Sequence, residues 1–383
     1  MKILYTTGKA LWLAENGRTV ELPSYRALQY RETIQQIHES KVWKTTGRGA
    51  QFMGVADETP SMEDTDVYFG GVALYRDMFL YTLQLDASSG MYQRNFEEAP
   101  KPEGHIISGN DMQLGAIASH GDDVAAVLHY PNGRSHIGLF HLPQSYCAEL
   151  TDGDSAETSP SWTPDGKLLF STCGVALGGR LVYSPASVIR YNPHTKSMET
   201  ILEDEKYDYL LPKSDTNGNL WYIRQPYSPG EEEHADFGSI LLDVILFPFR
   251  LVKAIFGFLN VFSIMFGHEP LQSGGNRTDV KSKQKSEKEL FFEGSKIQAE
   301  KNLKENKRSG EDFPGILPHN RVLVCRQPDG TETVIAKGVL DYCLCSDGVV
   351  YSNGSHILHC PADGKLESIA KVRLASKLQV IEG

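Results

Sequence analysis

The sequence is short of the usual signatures of catalysis. Its 383 residues contain no Gly-x-Ser-x-Gly element, phosphate-binding loop or dinucleotide fingerprint, so the common nucleophile and nucleotide motifs are unrepresented. Positive charge is short too: 38 Lys and Arg stand against 49 Asp and Glu, a net charge of −11. Binding nucleic acid needs a basic face, which excludes that class. Cysteines number six, at 147, 173, 325, 343, 345 and 360, too scattered for a disulfide framework in a chain this long. Met1-Lys2-Ile3-Leu4-Tyr5-Thr6-Thr7 holds no apolar run of signal-peptide length. The expectation is therefore a cytoplasmic protein with reduced thiols, in which the sequons at Asn276 and Asn353 carry no weight. What is present is 40% hydrophobic and 23% charged residues, with 35 Gly and 19 Pro. That mixture is too apolar for disorder and suits a turn-rich β protein.

Short β segments separated by turn residues fill most of the chain. Ile3–Tyr5 and Leu11–Leu13 are followed by Asn16-Gly17, a hairpin signal. Similar segments recur at 67–69, 78–83, 124–128, 137–140, 167–170, 188–191 and 220–223, and again at 322–324, 349–351 and 356–359. Strands this short and evenly punctuated predict a sandwich, a barrel or a propeller. Trp12, Trp43, Trp162 and Trp221 each fall in such a segment and read as core aromatics.

An internal repeat chooses among these folds. Ser159-Pro160-Ser161-Trp162-Thr163-Pro164-Asp165-Gly166-Lys167-Leu168-Leu169-Phe170 resembles the WD40-like (PD40) repeat of TolB-type β-propellers. In that motif Trp162 packs between blades, Pro164 presets φ for a tight turn, and Asp165-Gly166 supplies the turn chemistry. Degenerate copies occur at 114–125, 209–222 and 342–351, and the resemblance covers 105–230 and 318–383. It implies an all-β fold, a six- or seven-bladed β-propeller, in which Ser376–Ile381 completes the blade begun by Lys2–Tyr5 and leaves no open edge. TolB-type proteins are exported and carry an additional N-terminal α/β domain, and prolyl oligopeptidase relatives add a hydrolase domain. Neither addition is legible here, so what transfers is fold and not activity.

Between 228 and 318 the β rhythm stops. Residues 240–266 run apolar, crossed by a stripe of polar or small residues at Ser239, Asp243, Arg250, Lys253, Gly257, Asn260, Ser263 and Gly267, a helical spacing interrupted by Pro248. Membrane crossing is excluded, because the chain returns to the same propeller and must cross an even number of times. Residues 240–266 are too few for two spans of about 20 residues each. Two alternatives remain: a helix docked on the propeller, and an amphipathic helix or helical hairpin (238–267) lying in one leaflet. In the second, Ile240, Leu241, Ile245, Phe249, Arg250, Lys253, Phe256, Leu259, Phe262 and Phe266 meet the membrane or a partner. The following linker, 276–310, is basic. From Arg277 to Arg308 ten Lys and Arg face six acids, a local charge of +4 that leaves −15 for the rest. A basic run beside an apolar helix is the two-signal arrangement that holds proteins on anionic leaflets, and it would orient an otherwise repelled acidic ring. The plain alternative is a solvated linker, helical in part through Glu–Lys spacing.

Candidate chemistry is sparse. Cys343, Cys345, His356, His359 and Cys360 are close in sequence, but two histidines three apart on a strand point to opposite faces. They read as ordinary hairpin residues. Glu203–Glu205, Glu231–Glu233, Asp122, Asp123 and Asp165 read as loop and turn charge. No catalytic residue, metal or cofactor is expected. The organisation expected is propeller over 1–227, insertion over 228–318, and last blades with ring closure over 319–383. The function expected is a non-catalytic scaffold that binds a protein or small ligand on a propeller face. A hydrolase or lyase with its site in the central channel is the alternative.

Overall fold

The computed structural model describes residues 1–15, 17–45, 67–86, 88–110, 113–130, 133–144, 146–177, 181–228, 290–292, 295–362 and 365–381. These form 27 strands and two helices. Contacts divide the chain into Met1–Tyr227 with Leu290–Gly383, and a second unit, Ser228–Glu289. All the described strands lie in the first unit.

The termini share a sheet. β1 (Lys2–Thr6), β2 (Leu11–Glu15) and β3 (Arg18–Glu21) form a meander, and β27 (Ser376–Ile381) adds to its free side with Lys2 opposite Ile381 and Ile3 opposite Val380. A second meander follows: β4 (Val67–Tyr75), β5 (Met78–Leu85), β6 (Ser88–Arg94) and β7 (Gly104–Gly109). A nine-stranded sheet then joins two more meanders. The first is β8 (Gln113–His120), β9 (Asp123–His129), β10 (Ser135–His141) and β11 (Cys147–Glu149). The second is β12 (Ser155–Trp162), β13 (Leu168–Leu177), β15 (Ser187–Asn192) and β16 (Ser197–Leu202), with β14 (Leu181–Tyr183) paired to β13. One parallel pair, Ser135 with Ala156, connects the two halves. β17 (Tyr207–Ser214) and β18 (Leu220–Pro226) are completed by β21 (Val322–Arg326) and β22 (Glu332–Lys337). The last meander is β23 (Asp341–Cys345), β24 (Gly348–Ser352), β25 (Ile357–Pro361) and β26 (Glu367–Ala370). A separate hairpin pairs β19 (Leu290–Phe292) with β20 (Ser295–Ile297).

The core lies between consecutive sheets. Leu4 and Leu11 pack with Phe69, Phe79 and Tyr81 of the second meander. Its other face, with Leu80 and Met91, packs on Leu114, Val124 and Phe140. The series continues through Val127 with Phe170, Val188 with Tyr222, and Ile223 with Tyr342 and Leu358. It returns to the start where Val350 and Ile357 meet Ile3, Tyr5 and Val380. Each fully buried Leu, Ile or Phe contributes about 1.5–3 kcal/mol, so sheet stacking is the main stabilising term.

One helix, and the docking of a second, depart from the sequence reading. α1 (Tyr25–Thr45) occupies a stretch that shows little amphipathic periodicity, and it contains Trp43, which was expected in a β segment. The cap of α1 is largely non-local. Ser24 Oγ accepts the Ala27 N–H at 3.1 Å, while Glu103, near the start of β7, accepts the Tyr25 and Arg26 N–H groups at 3.2 Å each. Arg94 in turn braces that corner through the Pro23 and Glu97 carbonyls, both at 2.6 Å. α2 (Ala299–Arg308) falls inside the expected linker 276–310. Its Asn302 and Asn306 are buried and donate to the carbonyls of Gly315, Ile316 and Leu317. The helix is thus pinned to the main unit through Ile316, Leu317 and Leu340. Residues 290–318 group with the sheets by contact, although the chain leaves the meander after β18 and rejoins it at β21. The apolar segment 240–266, with every contact residue assigned to it from Ile240 to Phe266, lies outside the described residues.

Candidate functional site

The sheets converge on one cavity. It is lined by Val72 of β4, Ile117 of β8, Ser161 of β12, Lys213 of β17, Asp341 of β23 and Gln379 of β27, among others. Each comes from the first strand of a different meander or, for Gln379, from β27, so the cavity sits where these inner strands meet. Its volume is about 50 Å³, room for a water or two. Pockets for organic ligands are about 300–1,000 Å³.

A recurring irregularity shapes this hub. In β4, β8, β12, β17 and β27 the inner strand carries one extra residue relative to its neighbour, a β-bulge near Gly70, Gly115-Ala116, Ser159-Pro160, Leu211-Pro212 and Lys377-Leu378. Ser159, Leu211 and Lys377 adopt φ of +55°, +53° and +55°. The left-handed region costs a non-glycine residue about 1–2 kcal/mol. Its repetition at equivalent places makes it a property of the inner strand, offset by the contacts the bulges permit. In β4 and β8 the same place holds small residues because the strands nearly touch: a Cβ on Gly71 would lie 2.7 Å from the Ile117 nitrogen.

The polar groups at the hub are engaged with backbone. Asp341 is 4% exposed. Its Oδ1 accepts the Tyr342 N–H at 2.6 Å and its Oδ2 accepts the Lys377 N–H, so the carboxylate clasps β23 to β27. Lys213 Nζ donates to the Tyr342 carbonyl at 2.6 Å and sits 5.0 Å from the centre of the Tyr342 ring. The Tyr342 hydroxyl donates back to the Leu211 carbonyl at 2.7 Å. Burial, then the neighbouring Asp341 charge, pushes the Tyr342 phenol well above its ordinary range, so it stays a donor. Comparable bonds join other neighbouring sheets: Ser161 Oγ to the Pro212 carbonyl, Thr82 Oγ1 to that of Gly115, and Ser171 Oγ to that of Tyr209.

The repeat motif is adjacent to this hub. Pro160 lines the cavity. Trp162 donates from Nε1 to the Ala118 carbonyl of β8 at 3.2 Å and stacks on His120 with centroids 5.8 Å apart. Gly166 at φ +75° closes a turn in which its N–H donates to the Thr163 carbonyl at 3.0 Å. Asp165 accepts from Thr163 Oγ1, and Pro164 and Asp165 are exposed. Asp122, read as turn charge, also joins two meanders by accepting from the Tyr75 hydroxyl at 2.9 Å and Arg76 at 2.7 Å. Asp341 and Lys213 were not singled out from sequence. The available signal was the pair of aligned Pro-containing bulges, Ser159-Pro160-Ser161 and Leu211-Pro212-Lys213. His356 precedes β25 with its ring centroid 5.8 Å from Phe313, whereas His359 lies within β25.

Comparison with known proteins adds a resemblance in fold. No family model matches the chain, and no curated protein sequence does. Among solved structures it is similar to TolB from Acinetobacter baumannii, at 10% identity and a TM-score of 0.48, over 98% of this chain and 65% of that one. A protein from Lactobacillus plantarum matches over the full length of both chains at 10% identity and a TM-score of 0.43. A puromycin-hydrolysing peptidase from Mycobacterium tuberculosis matches over 58% of this chain and 33% of its own, at 12% identity and a TM-score of 0.34. The chain thus spans about two thirds of that TolB and a third of that peptidase. The TolB-type likeness implied by residues 159–171 reappears among these structures, and at such scores it carries nothing about activity.

Proposed function

We propose that this chain is a six-bladed β-propeller acting as a non-catalytic interaction scaffold, held at an anionic membrane surface by the insertion in its penultimate blade. Six is the number of inner strands lining the hub and of apolar layers in the circuit that ends where it began. The observation that carries the scaffold reading is the state of the hub. Its buried carboxylate and the Lys213 ammonium are engaged by backbone groups of neighbouring blades, in a space of about 50 Å³. Groups so engaged act as rivets, and partners are then met on the outer faces.

Membrane attachment rests on the apolar run 240–266 and the basic stretch after it. The insertion leaves from β18 and returns to β21, which are paired neighbours with Arg224 opposite Val322. Anchored there, α2 buries Ala299, Asn302 and Asn306 and exposes Lys301, Lys304, Lys307 and Arg308. With Glu300 and Glu305 on the same helix, these four cations leave a net +2 on its unburied surface, which suits an anionic leaflet. Among the described residues no helix is long and apolar enough to cross a membrane.

The scaffold reading is tested by assaying the purified full chain against panels of ester, lactone and peptide substrates. It expects no turnover above buffer. Turnover that disappears in Asp341→Asn or Lys213→Met, with folding intact, would establish a hydrolase with its site in the hub.

A further inference from the structure

The hairpin β23–β24 and strand β25 bring together three side chains that carry metal-ligating atoms. Cys345 ends β23, Asp347 stands in the turn to β24, and His359 lies in β25. Strand register explains their meeting. Cys343 pairs with Val350, and Val350 pairs with His359. His359 therefore shares a face with Cys343 and Cys345, because paired residues point the same way and alternate residues share a side. Between Cys345 and β25 the intervening residue is Gly348, which brings no side chain. The strands touch there: a Cβ on Gly348 would lie 2.3 Å from the Cys360 carbonyl oxygen. The Ala362 N–H ties the end of β25 to the turn by donating to the Asp347 carbonyl at 2.9 Å.

Both neighbours address the same carboxylate oxygen. His359 Nε2 is 3.2 Å and Cys345 Sγ 3.3 Å from Asp347 Oδ1, and the three ligating atoms all lie within 4.8 Å of one another. A tetrahedral zinc ion takes sulfur at about 2.3 Å and nitrogen or oxygen at about 2.0–2.2 Å, which places its ligand atoms roughly 3.4–3.6 Å apart. The observed separations from Oδ1 need to open by only a few tenths of an ångström. The His359 side chain is 12% exposed and that of Asp347 57%, so one side of the trio is supported by the sheet and the other faces water.

We propose that Cys345 Sγ, Asp347 Oδ1 and His359 Nε2 bind one Zn²⁺ ion, with water in the fourth position. The mixed sulfur, nitrogen and oxygen donors suit a borderline-soft transition metal and disfavour Ca²⁺ and Mg²⁺, which take oxygen ligands. The strand spacing sets His356 and His359 on opposite faces, and the register brings His359 to the face of Cys345. Asp347 is the ligand that composition alone did not mark.

The test uses the full chain, titrated with Zn²⁺ alone by calorimetry and with Co²⁺ as a spectroscopic substitute whose thiolate charge-transfer band reports a cysteine ligand. The expected result is one ion per chain and a thiolate band. Cys345→Ser abolishes the band, and Asp347→Asn and His359→Ala each weaken Zn²⁺ binding at least about 10-fold. Cys343→Ser, two residues away on the same face, leaves both readouts unchanged. Far-UV circular dichroism and urea midpoints verify that each variant folds, and Cys345→Ala substitutes if the serine variant does not. A wild-type chain without a thiolate band at one equivalent, or a band that survives in the folded Cys345 variant, overturns the proposal.

Discussion

Asp341→Ala probes the clasp that joins the last meander to the C-terminal strand. The carboxylate is buried and accepts two backbone N–H groups, one from Tyr342 on its own strand and one from Lys377 on β27. Hydrogen bonds to an ionised acceptor each contribute about 1.5–3 kcal/mol, and a buried N–H stripped of its acceptor costs about 1–3 kcal/mol. The two figures overlap, since the second is part of how the first is lost, and a water entering the vacated space recovers some of it. The expected destabilisation is about 3–5 kcal/mol. With a urea m-value of about 3 kcal/mol/M, the midpoint falls by about 1–1.7 M. Asp341→Asn keeps one acceptor oxygen of the same shape and is expected to lose roughly half as much. Unfolding should be followed by tryptophan fluorescence and far-UV circular dichroism together, and coincident curves license the comparison. A shift below about 0.3 M for the alanine variant would refute the clasp.

Gly71→Ala sets a Cβ against the Ile117 backbone nitrogen at 2.7 Å, where no flexible side chain can yield. The inner strands must separate, at a cost of about 1–3 kcal/mol. Gly109→Ala, in open space at the end of β7, stays within about 0.5 kcal/mol in the same urea assay. Acid sensitivity should trace in part to His356. Burial first, and the Lys371 charge second, hold its pKa below the ordinary 6.5. The unfolded chain therefore takes up the proton more readily than the folded one. This contribution to stability is complete above about pH 6.5 and is lost as pH falls through that value toward the folded pKa. Urea midpoints measured above and below that range should converge more closely in His356→Leu than in the wild type, and parallel slopes would exclude the histidine.

Local chemistry made the strands and their turns legible. Trp162, Asp165 and Gly166 announce a strand–turn–strand unit because each meets its requirement within a few residues, apart from the Trp162 bond to Ala118. The pairing of residues 376–381 with 2–6 was legible from the cost of an open edge. α1 was not, because its first N–H groups are met in part by Glu103, nearly eighty residues away, and its own pattern is weak. The docking of α2 was hidden for a related reason. Its buried face includes Asn302 and Asn306, polar residues that become core only once carbonyls of 315–317 arrive to accept from them. The hub shows the same limit. Asp341 and Lys377 are 36 residues apart in the chain, and their bond exists only after β27 has crossed to the first sheet. Spacing rules likewise put His356 and His359 on opposite faces but did not reach Asp347, whose proximity to His359 depends on register across three strands.

Flotation with lipid vesicles tests the scaffold's proposed attachment most directly. The full chain is expected to float with phosphatidylserine-rich vesicles at low salt, to remain behind with pure phosphatidylcholine, and to release as ionic strength shortens the Debye length below about 10 Å. Each surface cation contributes about 1 kcal/mol at an anionic leaflet, so neutralising Lys301, Lys304, Lys307 and Arg308 together weakens partitioning by up to about 1000-fold. A chain lacking 237–289 should stay in the dense fraction while keeping its urea midpoint. Equal behaviour of the full and shortened chains on both lipids would contradict membrane attachment through the insertion.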